Sequence, residues 1–327
     1  MGARSSAAYS ASAAMRRQSG MALLALIVLM AVAILSLWQP RVSPEAEHRR
    51  SQRVLQEALQ ALVAYASQAH SSGVQMERLR MGELPCPDVD GDGVINPTID
   101  YTGSDCTAYV GWLPWRSLGL PEGKDGTGAR LWYVLAPAWA NRAGGVEAVL
   151  NPDQTDRVWL DGQAAVAWLI SPSAPLPQQQ RDIASDGASQ IAHYLEWSAL
   201  GPQQWQRQAA SNDRALALGA DRLLYSAEQV AIKAVAGWLN GFYRDQHHYP
   251  SAAPLAGQVC QAGVSVGELP SACPTSLALP WPESDDMDAW LLRNQWLAHI
   301  EYRQLSSQRV QLVGPQQRVE IASGVIQ

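Results

Sequence analysis

The sequence contains no H-E-x-x-H, no P-loop and no dinucleotide-binding glycine fingerprint, which removes the zinc-protease, nucleotide-hydrolase and Rossmann classes built on those spacings. Cysteine is scarce. Cys86, Cys106, Cys260 and Cys273 are the four, none in C-x-x-C and none with a histidine at zinc-ligand spacing. Phenylalanine is nearly missing, with Phe242 alone against thirteen tryptophans. Positive charge is short in the body: beyond residue 53 there are 17 basic against 28 acidic residues, a net −11, so nucleic acid is not an expected partner. The first 53 residues are the reverse, with seven arginines and two glutamates. Global disorder is excluded by a hydrophobic content of 47% in 327 residues, enough for one large or two small domains.

The absence with the largest consequence is that of charge between Met21 and Trp38, where Ser36 is the lone polar side chain in 18 residues. As a helix this segment covers about 27 Å, close to a hydrocarbon core of ~30 Å. A membrane helix with its basic flank, Arg16-Arg17, on the N-terminal side is expected. A secretory signal peptide needs a small-residue cleavage site after the apolar run, and Leu37-Trp38-Gln39-Pro40 offers none. A plain signal anchor is one remaining reading. In the other, Arg16-Arg17-Gln18-Ser19-Gly20 before Met21 resembles the class III leader of type IV pilins and type II secretion pseudopilins. That resemblance implies cleavage after Gly20 by a prepilin peptidase and methylation of Met21. The fifth mature residue is then Ala25, where most of the family carries glutamate. Lacking a carboxylate to pair within lipid with a neighbouring subunit's N-terminal amine, the chain resembles a minor tip or priming subunit rather than a major pilin.

Residues 1–20 read as a Ser/Ala-rich leader. Pro40 and Pro44 interrupt the helix, which resumes from Glu45 to about Ser72 with Val54, Ala58, Leu62, Tyr65 and Ala69 as an apolar stripe to pack on a sheet. The loop Leu84-Pro85-Cys86-Pro87-Asp88-Val89-Asp90-Gly91-Asp92-Gly93 then leads to Cys106, to Gly111–Pro121 (GWLPWRSLGLP) and to a strand expected at Ala129–Ala136. This order, with LPCPDxDGDG and G-x-LPW-x-x-LGLP, resembles a group of bacterial pilin-like proteins with prepilin-type N-termini. Leu169–Pro177 (LISPSAPLP), Tyr194-Leu195-Glu196 and Ser211-Asn212-Asp213-Arg214 are similar to the same group.

The second half restarts the plan. A helix is expected from Asp221 to about His247, with Leu223, Ala227, Val230, Ala234 and Trp238 on one face. A Pro-rich loop with Cys260 and Cys273 follows, then strands at Trp296–Leu305, Val310–Val313 and Arg318–Ile321. The repeated order suggests a degenerate duplication, with coincidence in a Pro-rich exported protein as the alternative. The expected organisation is a leader (1–20), a transmembrane helix (21–38), a pilin-like unit (39–136), a connecting region with strands and a Pro-rich loop (137–220) and a second unit (221–327). The fold class is α+β: an N-terminal membrane helix continuing into a pilin-like helix packed on an antiparallel sheet, followed by a second α+β unit.

Pairing by sequence proximity gives disulfides Cys86–Cys106 and Cys260–Cys273, each contributing roughly 3 kcal/mol by loop closure and each requiring an oxidising compartment. Asp88-x-Asp90-x-Asp92-Gly93 matches the start of an oxygen-ligand calcium loop. Carboxylates at positions 1, 3 and 5 converge, glycine at 6 permits the turn, and Val94 at 7 offers its carbonyl. Asn96 falls at position 9; position 12 is Ile99, with Asp100 one residue on. A solvated Asp/Gly turn is the competing reading. The resemblance implies structural calcium, since several pseudopilins hold calcium in their loops.

Asp285, Asp286 and Asp288 read as a helix N-terminal cap before Ala289–Leu297, with a second calcium site as the alternative, and His247-His248 as a helix-end pair rather than a metal site, since no third ligand is spaced to join them. Gly263-Val264-Ser265-Val266-Gly267 fits the nucleophile-elbow pattern, but Leu269-Pro270 cannot begin the helix that an elbow needs. No enzyme is expected. The resemblance implies a minor pseudopilin or minor pilin of a type II secretion or type IV pilus machine. Its partners would be other pilin-like subunits, inner-membrane assembly proteins and prepilin peptidase, and its body would lie in the bacterial periplasm. The alternative is a membrane-anchored binding module, adhesin-like or substrate-recognising, with no filament role.

Overall fold

A computed structural model describes residues 24–32, 43–68, 81–96, 106–140, 149–181, 191–252, 265–267 and 289–326. The chain divides into two compact units, Met1–Glu47 and His48–Gln327. Residues 24–32 are helical and every one is exposed, with Leu24 and Leu29 64% and 68% accessible. Among the described residues no helix is long and apolar enough to cross a membrane. The remainder of Met21–Trp38, the leader with Gly20 and Met21, and Ala25's neighbours up to Leu23 lie outside them.

Helix α1 is Pro44–Gln68. Pro44 does not interrupt it but opens it, since proline at the first helical position loses only an N–H that has no partner anyway. Ser43 caps the end, its Oγ accepting from the Ala46 N–H at 3.2 Å, and Glu45 and Glu47 lie in the first turn, where carboxylates favour the helix dipole. The buried face is Ser51, Leu55, Ala58, Leu59, Leu62 and Ala66, with Val54 and Tyr65 only half-buried. The stripe is therefore rotated from the one expected, because α1 also meets a second helix, Ala220–Gln246. Ala69 lies outside the described residues.

The fold is α+β with three sheets. The first has the order β1 (Val110–Trp112), β2 (Trp132–Leu135), β5 (Ala167–Ser171), β8 (Arg214–Leu218), all antiparallel neighbours. β2 starts later than Ala129 because the backbone before it turns elsewhere, Leu131 N–H donating to Gly123 C=O, while Ala136 N–H still donates to Val166 C=O in line with the β2–β5 register. β5 and β8 come from residues 137–220, so that region completes the first sheet rather than merely connecting units. Two hairpins leave it to form a second sheet, β4 (Gln163–Ala165), β3 (Val158–Leu160), β7 (Gln204–Arg207), β6 (Trp197–Gly201), in which β3 and β7 run parallel. Between them lies the single turn α2 (Ile191–Tyr194).

Helix α3, Ala220–Gln246, follows β8 directly. It buries Leu223, Leu224, Ala227, Glu228, Ala231, Ile232, Val235, Ala236 and Leu239, two adjacent faces where a single stripe is expected. Both faces are used because α3 has neighbours in both halves of the chain. Ser67 Oγ of α1 donates to Ser226 Oγ at 3.0 Å. On the other face the Glu228 carboxylate, fully buried, accepts from the backbone N–H groups of Gln316 and Gln317 at 2.9 and 2.8 Å. Those residues form the turn between β11 (Arg309–Val313) and β12 (Arg318–Ala322) in the third sheet. That sheet is an antiparallel meander of β9 (Val266–Gly267), β10 (Glu301–Ser306), β11, β12 and β13 (Val325–Ile326).

β10 begins at Glu301, later than expected, because Trp296–His299 is a 3-10 turn entered through Gln295 at φ 55°. The helix before it, α4, is Ala289–Arg293 and stops short of Leu297. The two helix-and-sheet groups share one core, filled by Trp132, Trp139 and Trp296, all fully buried. A buried hydrogen bond from Leu150 N–H to Asn294 Oδ1, 2.9 Å, joins them again. The units expected at 39–136 and 221–327 are thus not separate bodies.

Candidate cation-binding loop

The loop after α1 is fixed at both ends. Cys86 and Cys106 are disulfide-bonded, their Cα atoms 5.4 Å apart and both side chains buried. Two residues on, Asp88 pairs with β1: its N–H donates to Trp112 C=O at 3.0 Å, and Trp112 N–H returns to Asp88 C=O at 2.8 Å.

From that anchor the chain coils around the Asp88 carboxylate, which is 1% exposed. Oδ1 accepts from Gly91 N–H at 2.7 Å and Oδ2 from Gly93 N–H at 2.8 Å. Asp92 Oδ1 accepts from Val94 N–H at 2.7 Å. Gly93 is required twice over. Its φ is +85°, and a Cβ there would sit 2.5 Å from the Trp115 indole. Its carbonyl accepts from Arg116 N–H at 2.9 Å. Arg130 Nη1 donates to Gly91 C=O at 2.8 Å, and its Nε pairs with Glu122 at 3.0 Å.

Carboxylate oxygens of Asp88, Asp90 and Asp92 lie within 4.8 Å of one another, with Asp90 and Asp92 exposed. Burial pushes the Asp88 carboxyl up to about 6, assisted by Asp90 and opposed by the two glycine N–H bonds. For Asp90 the upward push of burial, the largest single effect, is outweighed by the combined bonds from the Asp92 N–H, Asp88 and Asn96, and its carboxyl falls below the usual range.

The three side chains fit a hard cation, offering only carboxylate oxygen on a backbone already curved to face them. Asn96, expected as a further ligand, braces the loop: its Oδ1 accepts from Val89 N–H at 2.9 Å and its Nδ2 donates to Asp90 Oδ2 at 3.3 Å. Asp100 lies outside the described residues, as do Cys260 and Cys273 and the Asp285–Asp288 cluster.

Other expected positions resolve as structure. His247 is the left-handed cap of α3, φ 61°, its N–H donating to Tyr243 C=O. His248 Nδ1 bonds Gln246 C=O at 2.8 Å and its ring meets Phe242 edge-on, so the pair ends a helix. Ser265 C=O accepts from Gln304 N–H, and Val266–Gly267 is an edge strand beside β10. A strand here is incompatible with a strand-to-helix nucleophile turn.

A second polar cluster has no simple sequence signature. It unites three segments that stand apart in the chain. Asn212 Nδ2 donates to Ala174 C=O at 2.7 Å, and Glu196 N–H to Asp213 Oδ2 at 3.0 Å. Arg181 donates to the carbonyls of Pro172, Ser173, His193 and Tyr194, with its guanidinium over the Tyr194 ring. Beneath it Asp125, fully buried, accepts from Ser171 Oγ at 2.7 Å and Ser173 N–H at 3.0 Å. Burial beside Glu196 pushes the Asp213 carboxyl up to about 8. The Leu169–Pro177, Tyr194–Glu196 and Ser211–Arg214 motifs are therefore parts of one buried brace. No separation in sequence announces it, because most of its bonds join a side chain to a backbone group of another segment.

Compared with protein-family models, with curated proteins and with solved structures, the chain finds no match in any of the three.

Proposed function

We propose that this chain is a minor pseudopilin or minor pilin, a membrane-held assembly subunit whose body lies outside the cytoplasm. The observation that carries the reading is the order Arg16-Arg17, Gly20-Met21, an uncharged segment to Trp38 and then an amphipathic helix. Two structural features support it. The apolar helical residues 24–32 are exposed along their whole length, a surface that needs lipid or other subunits to cover it. The amphipathic helix α1 belongs to an α+β body with a disulfide-closed loop, chemistry suited to an oxidising compartment. The same reading takes the cation of the Asp88–Asp90–Asp92 loop as calcium, held for structure and not for catalysis. Its partners are other pilin-like subunits, inner-membrane assembly proteins and prepilin peptidase.

Intact-mass and N-terminal analysis of membrane-extracted protein tests this. Co-expression with an active prepilin peptidase should yield a chain that begins at methylated Met21, and omission of the peptidase should leave Met1–Gly20 attached. A chain that keeps its leader with the active peptidase present would reduce the segment to an ordinary signal anchor and remove the filament role.

A further inference from the structure

Among the described residues, the β4–β3–β7–β6 sheet has a packed face and a bare one. Val158, Leu160 and Ala165 are buried, and Trp205, level with Leu160, is half-buried on the same side. Neighbouring residues of a strand point to opposite faces, which puts Trp159 on the other side. Its cross-strand partners are Ala164 on β4 and Gln204 on β7, and Gln204 in turn pairs with Gly201 on β6. The row reads Ala, Trp, Gln, Gly, so an indole on an inner strand has a small side chain on one flank and the uncharged Gln204 on the other. Trp159 is 41% exposed. A side chain built at Gly201 would meet only open space. The next row, Gln206 and Ser198, is also exposed and uncharged.

The platform is rigid. Asp161 and Gly162, both at positive φ, make the two-residue turn joining β3 to β4. Asp161 accepts from Arg207 N–H at 2.8 Å and Arg207 Nε at 2.6 Å, locking that turn to the end of β7. The same pair neutralises the charges at the sheet's edge.

From this we infer that the bare face binds a neutral oligosaccharide, with Trp159 as the stacking surface and Gln204 and Gln206 as hydrogen-bond partners. A ligand that stacks on an exposed indole carries a flat apolar face, and a sugar ring presents one in its axial C–H groups. Primary amides each supply donor and acceptor without charge, matching hydroxyls. A nucleotide or acidic polymer would need cations, and Arg207 is already held by Asp161. The inference stands apart from the filament reading, since it uses only residues of this sheet.

The test is isothermal titration of the full chain, extracted in a detergent without a sugar headgroup, against cellohexaose, chitohexaose and maltohexaose. Wild type should saturate with at least one of them. Trp159→Ala should weaken that binding at least about tenfold, the usual consequence of losing a central aromatic contact, while Trp159→Phe, which keeps a ring, retains most of it. An unchanged melting temperature for both variants excludes unfolding as the cause. Failure of all three sugars to bind wild type, or equal binding by Trp159→Ala, overturns the inference. Light scattering that shows a self-association abolished by Trp159→Ala, without sugar binding, would assign the face to a second copy of this chain and overturn it too.

Discussion

Asp88 is buried against β1 and accepts two N–H bonds, yet burial still raises its carboxyl to about 6. An acid whose folded value lies above its unfolded value of 3.8 holds its proton more tightly when folded. Its favourable contribution is therefore complete below about pH 4 and is lost as pH rises through 6. A cation reverses this by stabilising the ionised carboxylates of Asp88, Asp90 and Asp92, and protons compete with it below about pH 6. Calcium should raise the melting temperature of the wild type at pH 7.5, by an amount that shrinks at pH 5. At 100 times its dissociation constant a ligand of the folded state contributes about 2.7 kcal/mol. Asp90→Ala and Asp92→Ala, at exposed positions, should melt with the wild type in chelator and lose the calcium increment. Equal wild-type melting temperatures in calcium and in chelator would leave the loop as a solvated turn.

Among the elements, α1 and α3 show how far periodicity reaches. Apolar spacing places both helices within a few residues of their observed spans, Pro44–Gln68 and Ala220–Gln246. It catches part of their phase, since Ala58 and Leu62 of α1 and Leu223 and Ala227 of α3 are buried as expected, and misses the rest because a stripe assumes one packing partner and each helix has more than one. The buried face of α1 centres on Leu55, Leu59 and Leu62, not on Val54 and Tyr65. Leu59→Ala or Leu62→Ala should therefore cost about 2–5 kcal/mol, the range for emptying a packed leucine site, whereas the exposed Gln56 to Ala should change stability by less than about 0.5 kcal/mol. Denaturant unfolding of the detergent-extracted chain measures both. A large loss at Gln56 with none at Leu59 would mean that α1 packs through the other face. Strand ends are less legible than helix spans, because β2 and β10 begin where turn hydrogen bonds stop competing for their backbone, as at Leu131 with Gly123 and at Ile300 with Leu297.

For the whole molecule, the question is whether the second half can be removed. Helix α3 reaches α1 through Ser226 and the third sheet through Glu228, and Asn294 holds Leu150. Deleting residues 220–327 strips these contacts from the core and leaves the face of α1 that carries Ser67 without its neighbour. Such a fragment should fail to melt cooperatively and should be digested by trypsin at concentrations that the full chain resists. A fragment with a sharp melt and protease resistance would restore two independent units. Consequently a loss of assembly or binding on that deletion reports folding first, and point variants on exposed faces are the informative ones.

What the sequence by itself determined is whatever depends on neighbours along the chain. That includes the uncharged Met21–Trp38 segment, the two amphipathic helices, the Asp88–Gly93 turn chemistry, and the Cys86–Cys106 pairing across 20 residues. Tertiary structure alone decided which face of each helix is buried, and that the Leu169–Pro177, Tyr194–Glu196 and Ser211–Arg214 segments form one brace around Arg181 and Asp125. It also decided that the two halves share a core. The physical reason is the same in each case: these features rest on contacts between residues tens to more than a hundred positions apart, often through backbone groups that every residue carries, so no local pattern encodes them.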